Sequence, residues 1–282
     1  MVRWGPWAFG SSDVRNRLPP LNSICWNVMM NLPGNTFKAA LRAGQVQIGI
    51  WNSLSDPTVA ELLAGCGYDW MVFDTEHSTV GPNEVISFLR TVAPYPVGPV
   101  VRPGWNDPVE IKKLLDAGAQ TLLIPYIQSA EEARSAVAAV TYPPKGMRGG
   151  AGITRATRYG AVADYATRAS EEICLLVQVE TREALLQLKE IAQVPGVDGV
   201  FFGPADLAAS LGYPGQPSHP EVRKAILEGI AVLGELGVPA GILSLDQTFL
   251  HEAKAAGALF IAVDVDTGLL RRSALARRAE WA

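Results

Sequence analysis

Carboxylate and amide side chains stand where two apolar segments of this sequence end. Glu180 closes the run CLLVQVE (174–180), with Gln178 two residues earlier, and Asp206 follows the run GVFFGP (199–204). Two oxygen ligands with room left for water suit Mg²⁺ or Mn²⁺, with Co²⁺ as a further candidate. There is no neighbouring pair of histidines to favour zinc. The alternative for Asp206, which precedes LAASL, is that it is only a helix N-cap.

A histidine and an arginine follow two other apolar segments. His77 comes after WMVFDTE (70–76), and Arg102 ends GPVVR (98–102). Arginine offers a planar, permanently charged fork for a carboxylate, and histidine moves protons near neutral pH. A divalent ion holding a 2-keto acid, an arginine that stabilises developing negative charge and a base suit enolate chemistry. The alternatives are structural: Arg102 would bridge to a nearby acid, and Asp74 would cap or pair.

The elements that must position these side chains alternate along the chain. Apolar segments too short for helices predict eight strands, each followed by an amphipathic helical stretch. The predicted strands span 46–51, 70–76, 98–102, 121–125, 174–180, 199–204, 239–244 and 259–266. Such strands are apolar on both faces, which is typical of buried parallel sheets. Eight βα units in one domain predict a TIM (β/α)8 barrel, whose active site lies at the carboxyl ends of the strands.

A doubly wound sheet is the rival architecture, but it would need a glycine-rich phosphate turn after the first strand. The segment WNSLSDP, at 51–57, has no such turn. The long segment 143–166 is poor in pattern, and a loop of that length is usually functional. Its place relative to the barrel mouth is left open.

Composition excludes several classes of protein. The 282 residues carry a net charge of −4 and no basic stripe, which argues against nucleic-acid binding. No apolar run is long enough for a membrane helix. Cys25, Cys66 and Cys174 are too few and too far apart for a disulfide framework, and the last two are expected to be buried. A cytoplasmic enzyme is therefore expected.

Residues 1–30 lack sustained periodicity and do not have the order of a signal peptide. We expect them to be a non-catalytic extension, translated from an upstream start codon, before a catalytic domain at 31–282.

Six ordered motifs give the sequence a family resemblance over most of its length. It resembles the HpcH/HpaI aldolase family, and within it the 4-hydroxy-2-oxoheptanedioate aldolase branch of class II pyruvate aldolases. The motifs are FDTEHS (73–78), VVRP (100–103), LLDAGAQTLLIP (114–125), YPPKGMRG (142–149), QVET (178–181) and GPADLAASLG (203–212). The resemblance implies a metal-dependent barrel that joins or cleaves pyruvate, or a related 2-keto acid such as hydroxypyruvate, and an aldehyde.

The resemblance also implies roles for individual residues. Glu180 and Asp206 would bind the metal, and Arg102 would stabilise the enolate. His77 would be the base, its basicity raised by Asp116 of an adjacent subunit. The expected substrate contacts are Gln178, the backbone at Ala205, Gly203, Pro204, Trp51 and Leu243, with Asp74 in a supporting role.

The resemblance further implies a hexamer, a dimer of trimers, whose last helix packs on or exchanges with a neighbour. One departure is Thr75, which stands where the family often has glycine, and which we expect to alter the aldehyde pocket.

Three other functions compete with this one. A citrate-lyase-β-like enzyme acting on CoA esters would need a phosphate patch from Lys145, Arg148, Arg155 and Arg158. A Schiff-base aldolase would need a strand-end lysine, and no predicted strand ends in one. A non-catalytic barrel that only binds a keto acid is disfavoured by the joint presence of His77, Arg102, Glu180 and Asp206.

Overall fold

Eight parallel strands close into a barrel in the computed structural model, which describes residues 30–282. Each strand pairs with the next along the chain, and the eighth pairs with the first. The strands are β1 Gln47–Asn52, β2 Trp70–Asp74, β3 Gly98–Arg102, β4 Thr121–Ile124, β5 Cys174–Val179, β6 Gly199–Phe202, β7 Ala240–Leu243 and β8 Phe260–Val265. The predicted TIM barrel is confirmed. The predicted non-catalytic extension at 1–30, which includes Cys25, lies outside the described residues except for Met30.

Helices follow every strand and surround the barrel. They are α1 Thr36–Arg42, α2 Pro57–Ala64, α3 Pro82–Thr91, α4 Pro108–Asp116, α5 Ala130–Val140, α6 Tyr165–Glu172, α7 Arg182–Leu186, α8 Leu188–Ala192, α9 Pro204–Ser210, α10 Pro220–Leu236, α11 Gln247–Ala255 and α12 Asp266–Ala279. Several begin where the sequence predicted, because a side chain accepts from a free backbone N–H of the first turn. Asp56 caps α2, Ser129 caps α5 and Thr181 caps α7. Within residues 30–282, no helix is long and apolar enough to cross a bilayer.

The alternation of side chains along each strand explains how the barrel carries a polar mouth on an apolar interior. Successive residues of a strand point to opposite faces, so Trp70, Val72 and Asp74 of β2 face the same way. Trp70 and Val72 belong to the apolar cluster inside the barrel. In β5, Leu176 of the same cluster is followed two residues later by Gln178. The inward positions therefore turn from apolar to polar as each strand reaches the mouth.

Helix α1 closes the other end of the barrel. Phe37 is buried, and its ring lies 5.6 Å from that of Trp70 and 6.0 Å from that of Phe260. Asn35, which caps α1, also donates from its side chain to the Thr121 hydroxyl at the start of β4. The amino-terminal end of the barrel is thereby sealed by aromatic packing.

Three sequence predictions need correction. The second strand ends at Asp74, not at 76, because the backbone turns there and the N–H of Glu76 donates to the Asp74 carboxylate. Asp206 is not a helix cap: Gly203 occupies that position, and Asp206 lies in the first turn of α9. Cys66 is exposed, since it follows the end of α2 on the surface, whereas Cys174 is buried as expected.

The long loop predicted at 143–166 ends where α6 begins, at Tyr165. It starts from the end of α5 that is remote from the mouth, where the N–H groups of Met147 and Arg148 donate to carbonyls of Ala138 and Thr141. The loop therefore lies at the amino-terminal end of this chain's own barrel.

Removing the Phe37 ring should lower the stability of the whole barrel. Phe37→Ala leaves a cavity between α1 and two buried rings, and we expect a loss of about 3–5 kcal/mol in the free energy of unfolding, measured by urea denaturation. Leu62→Ala, at an exposed position of α2, is the control and should change it by less than about 0.5 kcal/mol. A Phe37→Ala loss as small as that of the control would contradict the packing role of α1.

Candidate active site

The centre of the mouth is an ion pair between the last residues of β2 and β3. Asp74 and Arg102 are register partners, and their side chains form two parallel hydrogen bonds, Nε to Oδ1 at 2.9 Å and Nη2 to Oδ2 at 2.7 Å. Both side chains are almost fully buried. Burial alone would raise the pKa of Asp74, but the hydrogen bonds and charge of Arg102, with a hydrogen bond from Trp51, hold it below its usual value.

Two neighbours fix this pair in place. The Trp51 indole donates to Asp74 Oδ2 at 3.1 Å, and its ring lies against the guanidinium of Arg102 at 4.8 Å. Thr75 donates through both its N–H and its hydroxyl to the carbonyl of Arg102, at 2.9 and 2.7 Å. The threonine that departs from the family pattern therefore ties β2 to β3 at the mouth.

Glu76 and His77 stand beside the guanidinium on the solvent side. Glu76 Oε2 lies 2.7 Å from Arg102 Nη1, an ionic contact without hydrogen-bond geometry. Burial raises the pKa of Glu76 to about 6, against the charge of Arg102 and helped by Asp74 and Asp206. The His77 side chain is 65% exposed, and its Nε2 lies 3.8 Å from Glu76 Oε1. An imidazole in this position can exchange protons both with a bound molecule and with water.

Glu180 lies just beyond β5 and is buried, although no cationic side chain within 30–282 pairs with it. Its Oε1 accepts from the N–H of Tyr126 at 2.8 Å, and its Oε2 accepts from the side-chain amide of Gln178. Burial raises the pKa of Glu180 to about 7; these two hydrogen bonds oppose the rise, while the charges of Glu76 and Asp206 add to it. Three carboxylates are thus held close enough to repel one another.

The first turn of α9 meets Glu180 at close range. A Cβ at Gly203 would collide with the side chains of Glu180 and Gln178, so any other residue would force both of them to move. Pro204 follows as the first helical residue, and Ala205 and Asp206 are exposed at the mouth. Leu243, half-buried at the end of β7, lies at the same end of the barrel.

The residues at this end fit a hard divalent cation. The donors are oxygen atoms: the carboxylates of Glu180 and Asp206, and Gln178 Oε1, which is buried and has no hydrogen-bond partner among the described residues. A cation here would offset the burial, and the smaller repulsion from Glu76 and Asp206, that raise the pKa of Glu180, and oxygen ligands favour Mg²⁺ or Mn²⁺. No group of three His, Cys, Asp or Glu side chains within 30–282 could hold a metal by itself, so water or substrate would complete the shell.

Asp116 does not reach this mouth. It is the last residue of α4, which runs back from the mouth for about 14 Å at the usual rise of a nine-residue helix. At the opposite end its carboxylate lies 3.3 Å from Nη2 of Arg148. Arg148 is fully buried between the rings of Tyr142 and Tyr165, at 4.5 and 5.5 Å. One chain therefore presents Asp116 on the side remote from its own His77.

The cations proposed for a CoA phosphate patch are mostly engaged elsewhere. Arg148 pairs with Asp116, and Arg155 is half-buried and donates to the carbonyls of Ala117 and Leu89. Of the four cations, only Lys145 and Arg158 are exposed, and the loop that carries them lies away from the mouth. The geometry disfavours that alternative.

Sequence reasoning missed one contact at the mouth and one buried side chain at the opposite end of the barrel. The Tyr126 N–H that binds Glu180 is a backbone donor, which no residue type announces; its positive φ of 55° is the structural sign of a constrained position. The sequence suggests Arg148 as one cation of a phosphate patch, and does not predict that it is buried between Tyr142 and Tyr165.

The sequence and the fold of this chain are similar to those of known proteins. Residues 47–273 match the family model described as HpcH/HpaI aldolase/citrate lyase. A hydroxypyruvate/pyruvate aldolase of Sagittula stellata is 71% identical over 252 residues, 89% of this chain and 100% of that protein. A 4-hydroxy-2-oxo-heptane-1,7-dioate aldolase of Escherichia coli is 52% identical, covering 88% and 95%. The crystal structure of an HpcH/HpaI aldolase/citrate lyase family protein of Burkholderia cenocepacia superposes with a TM-score of 0.84 at 38% identity, covering 88% of this chain and 100% of that one.

The raised pKa of Glu180 predicts how the metal-free protein responds to pH. The folded state holds the Glu180 proton up to about pH 7, whereas the unfolded chain releases it near 4.5. Stability is therefore lost as pH rises through this window, by up to about 3 kcal/mol for this group. Urea unfolding of EDTA-treated protein at pH 5 and pH 8 measures it, with Glu180→Gln as the matched variant. Parallel pH profiles of the two proteins would contradict the assignment.

Proposed function

The chain belongs to the HpcH/HpaI aldolase/citrate lyase family, and from that premise we propose that it is a class II aldolase for pyruvate or a related 2-keto acid. It is a carbon–carbon lyase that joins the keto acid to an aldehyde or cleaves their adduct. The observation that carries the proposal is the conjunction at one mouth of a buried Asp74–Arg102 pair with an uncompensated carboxylate, Glu180. The 71% identical relative is named for both pyruvate and hydroxypyruvate, and both are candidate donors.

Glu180 and Asp206 are the residues proposed to hold a divalent cation, Mg²⁺ or Mn²⁺, with Co²⁺ as a further candidate. When bound, such an ion would supply Lewis-acid polarisation of the keto acid. The Gln178 side chain and the backbone at Ala205 are proposed to orient the same molecule. Gly203, Pro204, Trp51 and Leu243 would bound the space around it.

Arg102 is proposed to stabilise the negative charge that develops on the keto oxygen. Asp74 accepts from the Nε–H and from one N–H of Nη2 of Arg102. Glu76 Oε2 lies 2.7 Å from Nη1 but makes no hydrogen bond there, so the N–H groups of Nη1 are the ones proposed to bond to an anionic oxygen. Because Asp74 and Trp51 hold the group rigidly, little reorganisation is needed when charge develops.

His77 is proposed to move the proton. It would take a proton from the carbon next to the keto group, leaving the electron pair in the enolate. That carbon then bonds to the aldehyde carbon, and the aldehyde oxygen gains a proton. Cleavage runs the same steps in reverse. The 65% exposure of the imidazole lets it return protons to solvent.

Asp116 is proposed to act in the site of an adjacent subunit. Its position at the far end of α4 keeps it from its own His77, and the ion pair with buried Arg148 holds its carboxylate in a defined place. A homo-oligomer, a hexamer built as a dimer of trimers, would let this end of one chain meet the mouth of the next. Asp116 would then raise the basicity of the neighbour's His77.

Loss of the methyl signal of pyruvate in D₂O, followed by proton NMR, tests enolate formation without a known aldehyde. We expect metal-dependent exchange that EDTA abolishes, with pyruvate or with the corresponding carbon of hydroxypyruvate. Glu180→Gln and Asp206→Asn should weaken metal binding and stop exchange. His77→Ala should slow exchange by about 10²–10⁴-fold while still binding metal. Absence of exchange with both donors, despite added metal, would overturn the proposal.

Mixing two inactive variants tests the shared site. Asp116→Ala and His77→Ala should each be nearly inactive alone. Reassembled together, they should regain part of the exchange activity, because some sites then combine an intact His77 with an intact Asp116 from the neighbour. No recovery in mixed oligomers that mass spectrometry shows to have formed would refute action across the subunit boundary.

A further inference from the structure

Two aromatic rings stand together beside the mouth and have no part in the chemistry described above. Trp105 follows Arg102 by three residues, in the loop from β3 to α4, and Tyr126 follows β4 by two residues. The centroids of the rings are 5.4 Å apart, and their planes differ by 31°. Since both loops leave the carboxyl ends of neighbouring strands, the pair lies on the mouth side of the barrel.

Tyr126 is tied to the site through its backbone. Its N–H donates to Oε1 of Glu180, and the next N–H, of Ile127, donates to the carbonyl of Gln178 at 3.0 Å. The backbone is held at φ 55°, which a bulky residue rarely adopts. Tyrosine is thus kept at a strained position within one hydrogen bond of the proposed metal ligand, and strain of this kind tends to be retained where function needs it.

Trp105 leaves a large apolar face open. It is 54% exposed, and Tyr126 is the ring it stacks on within the described chain. An indole that is packed on one face and exposed to solvent on the other can bind apolar or aromatic groups by burying their surface. Aromatic groups gain a further stacking energy in addition to that of the buried area.

We propose that Trp105 and Tyr126 form the aromatic wall that selects the acceptor aldehyde, and that it favours aldehydes with an aromatic or extended apolar substituent over small hydroxylated ones. This inference rests on the proposed aldolase function. In the proposed function the donor keto acid lies against Arg102 and Glu180, so the acceptor would approach from the solvent side of the mouth, where the ring pair lies. Contact with the wall would add to acceptor binding without touching the donor.

The test is the ratio of kcat/KM for benzaldehyde to that for glycolaldehyde, each with pyruvate as donor and saturating Mn²⁺. A ratio cancels any general loss of folded or loaded enzyme. Trp105→Ala should lower it by about tenfold, the usual discrimination from an apolar contact, whereas Trp105→Phe should keep it near the wild-type value. Tyr126→Asn should lower it too, and asparagine tolerates the positive φ that alanine would not. Leu62→Ala is the surface control.

An unchanged ratio in both Trp105→Ala and Tyr126→Asn would overturn the wall, whatever happens to the overall rate. Pyruvate methyl exchange, which needs no aldehyde, separates this outcome from failure of the aldolase function. If the wild-type enzyme exchanges and the ratios do not move, the wall alone is refuted. If the wild-type enzyme does not exchange, the function and the wall fall together.

Discussion

The buried pair of Asp74 and Arg102 is the interaction on which the mouth of this barrel depends. An arginine out of water is costly unless its charge is matched and its donors are satisfied. Here β2 and β3 are in the register that sets the two side chains opposite one another, and Trp51 covers the guanidinium. The neutralised pair is rigid, and Glu76, His77 and the proposed substrate site lie on its solvent side. Removal of Arg102 would leave Asp74 buried without its cation at the top of an apolar core, whereas removal of Asp74 would leave Arg102 with Glu76 alone.

The same mouth holds a second charge arrangement of opposite character. Glu180 is buried without a cation, next to two other carboxylates, and burial raises its pKa to about 7. Asp74 and Arg102 neutralise each other's charge, whereas the buried carboxylate of Glu180 would be stabilised by a bound cation. The proposed site would combine one rigid, compensated pair that orients substrate with one uncompensated carboxylate that binds an ion.

The barrel and most of the site could be predicted from sequence because both follow from strand periodicity. Trp70, Val72 and Asp74 share a face by simple alternation, and parallel strands bring their carboxyl ends to one edge, so strand-end residues such as Arg102 and Glu180 had to converge. The parts that escaped prediction depend on the third dimension. The donor from Tyr126 is backbone, the burial of Arg148 depends on two tyrosines from separate segments, and the exposure of Cys66 depends on where α2 meets solvent.

Gly203 carries a consequence for how this protein can change over generations. A Cβ at that position would strike Glu180 and Gln178, and every amino acid other than glycine has one. Any other residue would therefore force Glu180 and Gln178, two residues of the proposed site, to move, whatever its polarity or charge. Trp105, which is 54% exposed, is not confined in this way, so its replacement would not require Glu180 or Gln178 to move. If the aromatic wall selects the aldehyde as proposed, the preferred aldehyde can change through Trp105 while Gly203 is kept.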